Sequence, residues 1–114
     1  MDWKPVKPDS LERLISKYEY LVAQAEQGYD MCIYEYTNDL ACRIEIQERL
    51  EADSALDKTL LSRLERADTK LRAVLVPTNN SIYGDYLQSH FWFYGIPQDS
   101  PELMKDAKEL GVLS

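Results

Sequence analysis

The sequence predicts an all-α fold: a three-helix antiparallel bundle, then an aromatic-rich C-terminal segment and a short final helix packed on it. Three observations predict it. Apolar residues recur at three- and four-residue steps over two long stretches, at Leu11, Leu14, Ile15, Tyr18, Leu21, Val22 and Ala25, and again at Leu60, Leu61, Leu64, Ala67, Leu71, Val74 and Leu75. Helix-start and helix-stop residues bracket those stretches. The connections between them are short, so neighbouring helices must run antiparallel to bury their stripes against one another. The 114 residues read as one domain, 1–114, long enough for a single modest core.

The first helix, 10–27, opens on Asp9, with Glu12 three positions on as a capping-box variant and Pro8 just outside. Gly28 stops it, because glycine adopts the left-handed geometry that ends many helices without a steric cost. The second, 31–52, carries Ile33, Tyr36, Leu40, Ile44 and Gln47 on one face and Tyr34, Cys42 and Ile46 on others, so it is buried on more than one side. MCIYEY alone has strand character, but the following NDLACRIEIQERLEAD is too charged and too long for a strand. The third helix, 55–76, starts at the S-x-x-D of Ser54 and Asp57, and Pro77 ends it, since the residue before a proline avoids helical dihedrals. PTNNSIYGD is a loop by composition. A short helix over 86–94 then carries the aromatic run, broken by Gly95 and Pro97. Ser100 and Pro101 open a last helix over 101–110, closed by Gly111.

Charge bounds the function before any motif does. Thirteen Lys and Arg against twenty Asp and Glu give a net charge of −7, which repels nucleic-acid phosphates and anionic membrane surfaces. No basic patch offsets it. The acidity reads first as a means of solubility; the alternative is a basic protein partner, with no nucleic acid and no membrane. The opening MDWKPVKPDS lacks the apolar core of a secretory signal, and no apolar run approaches the ~20 residues of a membrane span. The chain reads as cytoplasmic. Cys32 and Cys42 lack metal-ligand spacing and, on one helix, cannot reach each other for a disulfide, so they read as reduced, partly buried thiols.

Asp68 is the most informative single residue. A helical wheel sets it ~40° from Leu64, inside the stripe of Leu64, Leu71 and Leu75. A carboxylate there needs a partner, because an unpaired buried charge costs several kcal/mol. Arg43, three positions after Leu40 at the edge of the inner face, is the best candidate; Arg72 points further towards solvent. Two readings stay open. The pair is a structural link fixing helix register, or it floors a pocket roofed by Tyr36, Tyr83 and Trp92, with Arg43 gripping a carboxylate or phosphate bidentately.

Other constellations carry less chemistry. EYTNDLACR packs Glu35, Asn38, Asp39 and Arg43 into little more than two turns, and Glu35 and Asp39 share a face at i, i+4. No second E-x-x-H or H-x-x-x-H accompanies them and His90 is the only histidine, so neither metal nor cofactor is expected. A strained G-x-S-x-G turn and a glycine-rich phosphate loop are both absent. No catalytic residue is assigned; an enzyme here would use Asp39 or His90 as a base.

HFWFYGIP, residues 90–97, is ambiguous in conformation. As a helix it sends Phe91, Trp92, Phe93 and Tyr94 in four directions. Extended, it places Phe91 and Phe93 opposite Trp92 and Tyr94. It is either a lid that buries Trp92 and one of its phenylalanine neighbours, or an interface anchor, a role in which Trp and Tyr excel.

E-Y-T-N-D-L-A-C-R, together with L-S-R-L-E-R-A-D-T-K-L-R-A and an aromatic run before I-P, resembles a group of small uncharacterised bacterial helical proteins. The shared positions are Asn38, Asp39, Arg43, Asp68 and Trp92. The resemblance implies an architecture and attaches no activity.

The leading functional expectation is a small acidic, non-catalytic protein-binding module, monomeric or weakly homodimeric. In size and charge it is similar to bacterial immunity proteins and antitoxins that neutralise a basic nuclease, an analogy of composition. The alternative is a small-ligand or enzymatic pocket between the helices around Arg43 and Asp68. Residues expected to bind a ligand or partner are Tyr36, Asn38, Asp39, Arg43, Asp68, Tyr83, His90 and Trp92.

Overall fold

Helix α1, Leu11–Gln27, begins where a side chain can satisfy its first amides: Ser10 Oγ accepts from the Arg13 N–H at 3.1 Å. The cap is thus Ser10; Asp9 lies outside the described residues. The computed structural model describes residues 10–52, 57–84 and 89–113. Gly28 closes α1 with φ 120°, and a Cβ there would stand 2.8 Å from Asp99 Oδ2. Both the positive φ and the close approach require glycine. The next amide, of Tyr29, donates to the Asp99 carbonyl at 2.8 Å and ties the turn to the C-terminal region.

The expected continuous helix over 31–52 is two helices, α2 (Ile33–Asp39) and α3 (Ala41–Ala52), separated at Leu40. The buried positions explain the break. Ile33, Tyr36, Leu40, Arg43 and Ile46 recur at steps of 3, 4, 3 and 3, tighter than the 3.6 residues of a regular turn. An unbroken helix would rotate Ile46 by ~140° away from the face of Ile33. At Leu40 the chain overwinds instead: the Arg43 N–H donates to the Leu40 carbonyl at 2.9 Å, an i to i+3 bond, and Cys42 Sγ donates to the Asp39 carbonyl at 3.2 Å. All five side chains then face inward.

Helix α4, Lys58–Val74, starts at Asp57 rather than at Ser54, which lies outside the described residues. Asp57 Oδ1 accepts from the amides of Thr59 and Leu60 at 2.7 and 3.3 Å. The helix also ends sooner than expected. Leu75 is already extended, because Leu75–Pro77 form a strand, β1, that pairs antiparallel with β2, Gly95–Pro97. This small sheet replaces the end of the expected third helix. Gly95 faces Pro77 across it, and a Cβ at that position would lie 2.9 Å from Leu75 Cβ. Only glycine allows the strands so close to that side chain.

The aromatic run is likewise no regular helix. Residues 86–88 of the expected 86–94 lie outside the described residues; Phe91–Phe93 make a single 3-10 turn before β2. That turn resolves the four-directions problem: Trp92 and Phe93 enter the core, while Phe91 and Tyr94 stay half-buried.

Helix α5, Pro101–Glu109, opens with proline as expected, but Ser100 turns its hydroxyl back to donate to the Pro97 carbonyl. Its Asp106 accepts from the Ile33 N–H at 3.0 Å, closing the start of α2, whose own N-cap Cys32 makes no side-chain cap bond. Gly111 follows with φ 76°.

The protein is therefore mostly helical, with α1 packed on α4 and α3, α2 on α5 and α3, and the two-stranded sheet between α4 and α5. Its core joins Leu14, Ile15, Tyr18, Leu21 and Val22 of α1 to Leu64 and Leu71 of α4, Leu40 and Ile46, then Trp92, Phe93 and Ile96, and finally Leu103 and Ala107 of α5. Each large side chain so buried contributes about 1.5–3 kcal/mol.

Candidate functional site

Two places in the fold gather the residues that could act: an ion pair between buried Arg43 and partly buried Asp68 beneath the aromatic run, and the outer face around α2. The ion pair joins α3 to α4. Arg43, 4% exposed, donates through Nε to Asp68 Oδ1 at 3.0 Å and through Nη2 to Asp68 Oδ2 at 2.9 Å. This is the bidentate fork that guanidinium and carboxylate favour. Nη1 reaches Gln47 Oε1 at 3.2 Å, and Tyr18 of α1 donates its hydroxyl to Asp68 Oδ1 at 2.6 Å. The guanidinium carbon lies 4.1 Å from the Trp92 ring centroid and 5.7 Å from that of Tyr18. Every guanidinium nitrogen is engaged, and an aromatic ring covers the cation's face. The edge that forks a carboxylate is already taken by Asp68, and burial keeps the rest of Arg43 from an incoming anion.

Burial first, and the Asp68 charge next, push the Tyr18 hydroxyl far above its ordinary value of 10.0. The hydroxyl therefore stays a donor. Tyr36 shifts the same way through burial alone, and Tyr29 through burial reinforced by its 2.8 Å bond to Asp39 Oδ2. The hydroxyl of Tyr36 and Nε1 of Trp92 are buried without a hydrogen-bond partner among the described residues.

Of the expected residues, the structure brings Arg43, Asp68 and Trp92 together, with His90 beside them, its ring 4.9 Å from that of Trp92. The others make no hydrogen bond, ion pair or ring contact with Arg43 or Asp68. Tyr36 is core, edge-on to Tyr29 at 5.1 Å. Tyr83 stacks 5.7 Å from Phe93 near the surface. Asp39 is held by Tyr29, and Asn38 is exposed. Sequence reasoning missed Tyr18 and Gln47 as partners in the cluster. Tyr18 was read only as a stripe residue, although its hydroxyl, in a core position next to a buried carboxylate, was the available signal.

The expected residues Asn38, Asp39 and Tyr83 line the second place, but Tyr20, Met31 and Tyr34 beside them were not expected. Among the described residues five large apolar side chains are exposed, and four of them, Tyr20, Met31, Tyr34 and Tyr83, surround α2. Tyr20 and Tyr34 are 69% and 80% exposed. Tyr20 and Met31 border a groove of about 810 Å³ between α1 and the α2–α3 arm, with Leu21, Cys42, Glu35 and Glu45 in its walls. Tyr34 and Tyr83 border a smaller hollow of about 300 Å³ on the other side of α2. Asn38 and Ala41 line both, so the two form one continuous surface. The available signal was that Tyr20 and Tyr34 fall off the buried stripes of their own helices.

Among the described residues no cluster of three or more His, Cys, Asp or Glu is placed to hold a metal ion, and no helix is long and apolar enough to cross a membrane. Cys32 and Cys42 are free, half-buried thiols. No family model, curated protein or solved structure matches the chain.

Proposed function

We propose that the chain is a small acidic, non-catalytic protein-binding module, immunity- or antitoxin-like in kind, which docks a basic protein on the surface around α2. The observation that carries this reading is the concentration of exposed tyrosine and methionine there: of the five exposed large apolar residues among the described residues, four lie around α2. Tyr and Met are enriched where proteins bind one another. The net charge of −7 adds attraction for a basic partner and speeds encounter with it.

The competing reading, a ligand pocket floored by Arg43 and Asp68, is disfavoured by the burial of Arg43 and the bidentate use of its Nε–Nη2 edge by Asp68. The same proposal takes the body as a three-helix antiparallel bundle, with α2–α3 as one arm, in a cytoplasmic monomer or weak dimer related to the small bacterial helical group. Two free thiols suit a reducing compartment.

The test compares the wild-type chain with the Tyr20→Ala/Tyr34→Ala variant as bait. Both positions are mostly exposed, so the variant should keep its stability to within about 0.5 kcal/mol per site. A basic protein that binds the purified wild type stoichiometrically in calorimetry, and the variant at least tenfold more weakly, is the expected result. Equal binding to both refutes the assignment of the surface.

A further inference from the structure

We infer that the element docked in the groove between α1 and the α2–α3 arm is an amphipathic α-helix with a basic edge, supplied by the partner. This rests on the docking reading above and specifies what that surface receives.

The shape of the groove points to a helix. Its α1 wall is built from Arg13, Leu14, Lys17, Tyr20, Leu21 and Gln24, the spacing of one helical face. From Arg13 to Gln24 that face runs about 16 Å, the length of three turns. The opposite wall is also helical, formed by α2 and the start of α3. Helical walls bond their backbone groups internally, so they offer no open strand edge to which an extended peptide could add. A helix meets this constraint by satisfying its own backbone, and its apolar side chains at i, i+3, i+4 and i+7 can reach Tyr20, Leu21, Met31 and Cys42.

The charge of the walls gives the helix its chemistry. Glu35 and Glu45 stand exposed on the α2–α3 side, with Asp39 between them. Neither glutamate takes part in an ion pair among the described residues. On the α1 wall, Arg13 and Lys17 already have interactions within the chain. The lining holds three carboxylates against these two cations, so the edge of the incoming helix that faces the acidic wall should carry Lys or Arg. A second copy of this chain is a poor occupant. It carries the same net charge of −7, so two copies repel one another where a basic helix is attracted.

The probe is a displayed library of random 16-residue peptides, selected on the wild-type chain and counter-selected on a groove variant, Tyr20→Ala/Met31→Ala. Enriched peptides should share an apolar stripe of helical period with Lys or Arg along one edge, and should become helical on binding. Their affinity should fall at least tenfold on the groove variant, and at least tenfold on Glu35→Lys/Glu45→Lys. Peptides with Glu in place of the basic edge should then recover binding to the charge-reversed chain. No enrichment, enrichment without helical period, or affinity unchanged by either variant overturns the inference. The protein bait experiment separates the two levels. A basic partner that loses binding to Tyr20→Ala/Tyr34→Ala but not to the charge-reversed chain leaves the docking reading standing and removes the basic helix. A partner indifferent to both variants removes the docking reading itself.

Discussion

Arg43 lies over the ring of Trp92, its guanidinium carbon 4.1 Å from the centroid, while the edge of the same group closes on Asp68 at 3.0 and 2.9 Å. One cation thus joins three segments that are distant in sequence: α3, α4 and the aromatic run before β2. A charge withdrawn from water must recover its hydration from the protein. Here the carboxylate, Gln47 and the indole face together replace it, and Tyr18 fills a further lone pair of Asp68. A desolvated cation–π contact of this kind contributes about 2 kcal/mol.

Breaking this pair on one side should cost far more than removing it whole. Arg43→Ala leaves Asp68 beside an apolar cluster, and unfolding in urea should show a loss of about 3–5 kcal/mol. Asp68→Ala leaves the cation and should cost a similar amount. The double variant Arg43→Met/Asp68→Leu replaces both charges with apolar volume and should recover most of the loss, since well-packed apolar residues rival a buried ion pair. A single-variant loss below about 1 kcal/mol would show that solvent compensates the remaining partner.

How the pair was legible in the sequence, and what was not, follows from what each signal depends on. Asp68 announced itself because a carboxylate within the Leu64–Leu71 stripe breaks a local pattern, and Arg43 was its nearest inward cation. The stripes of α1 and α4 are periodic for the same local reason. The break at Leu40 was not legible, because the tighter spacing of Ile33, Tyr36, Leu40, Arg43 and Ile46 becomes meaningful only once the buried face is known. The β1–β2 pairing depends on residues twenty apart in sequence, Val76 and Ile96, and leaves no trace in either segment alone. The surface around α2 is harder still. Tyr20, the Met31–Tyr34 stretch and Tyr83 belong to three separate segments, and exposed tyrosines look the same in sequence as buried ones.

Stability should fall steeply in alkali. Tyr18 and Tyr36 are buried, and their folded-state pKa values are raised well above the ordinary 10.0. Below pH ~10 both states keep the protons, so the full stability is present. Above it the unfolded chain releases protons that the folded chain retains, and each such tyrosine should cost about 1.4 kcal/mol per pH unit. Thermal melts between pH 9 and 11.5 should show Tm constant at first and then declining. Tyr18→Phe should be less stable at neutral pH, having lost the bond to Asp68, yet show a shallower alkaline decline. An identical slope in the variant would mean that Tyr18 titrates normally in the folded protein.

Cys42 should be a slow thiol. Burial first, then the charge of Asp39, push its pKa from the ordinary 9.0 up to about 11. The thiolate is the reactive form, so at neutral pH it is roughly a hundredfold scarcer than for an unshifted thiol. Iodoacetamide labelling followed by peptide mass spectrometry should find Cys42 alkylated at least tenfold more slowly than a small-molecule thiol of pKa near 9, with the rate still climbing above pH 9. Rapid labelling with a plateau near pH 9 would contradict the shift.

Trp92 should prove a structural keystone rather than a contact residue. It is buried at the centre of the aromatic run, packed edge-on to Phe91 at 5.3 Å and under Arg43, and Phe93 and Ile96 beside it are fully buried. Trp92→Ala opens a cavity next to a charge and should cost about 3–5 kcal/mol. Trp92→Phe keeps an aromatic face for Arg43, and the indole N–H that it removes has no hydrogen-bond partner among the described residues. Its cost should therefore be smaller, below about 2 kcal/mol, from lost volume and a weaker cation–π contact. Truncation before His90 removes β2 and α5 as well, with Leu103, Ala107 and the Asp106 cap on α2, so helicity and Tm should both fall. Circular dichroism and urea unfolding of the three variants check the order: truncation and Trp92→Ala severe, Trp92→Phe mild. Suppose instead that the truncated chain kept its helicity and Tm and lost only a bound protein. The aromatic run would then be an interface anchor, and its burial against Arg43 would not be what holds the fold together.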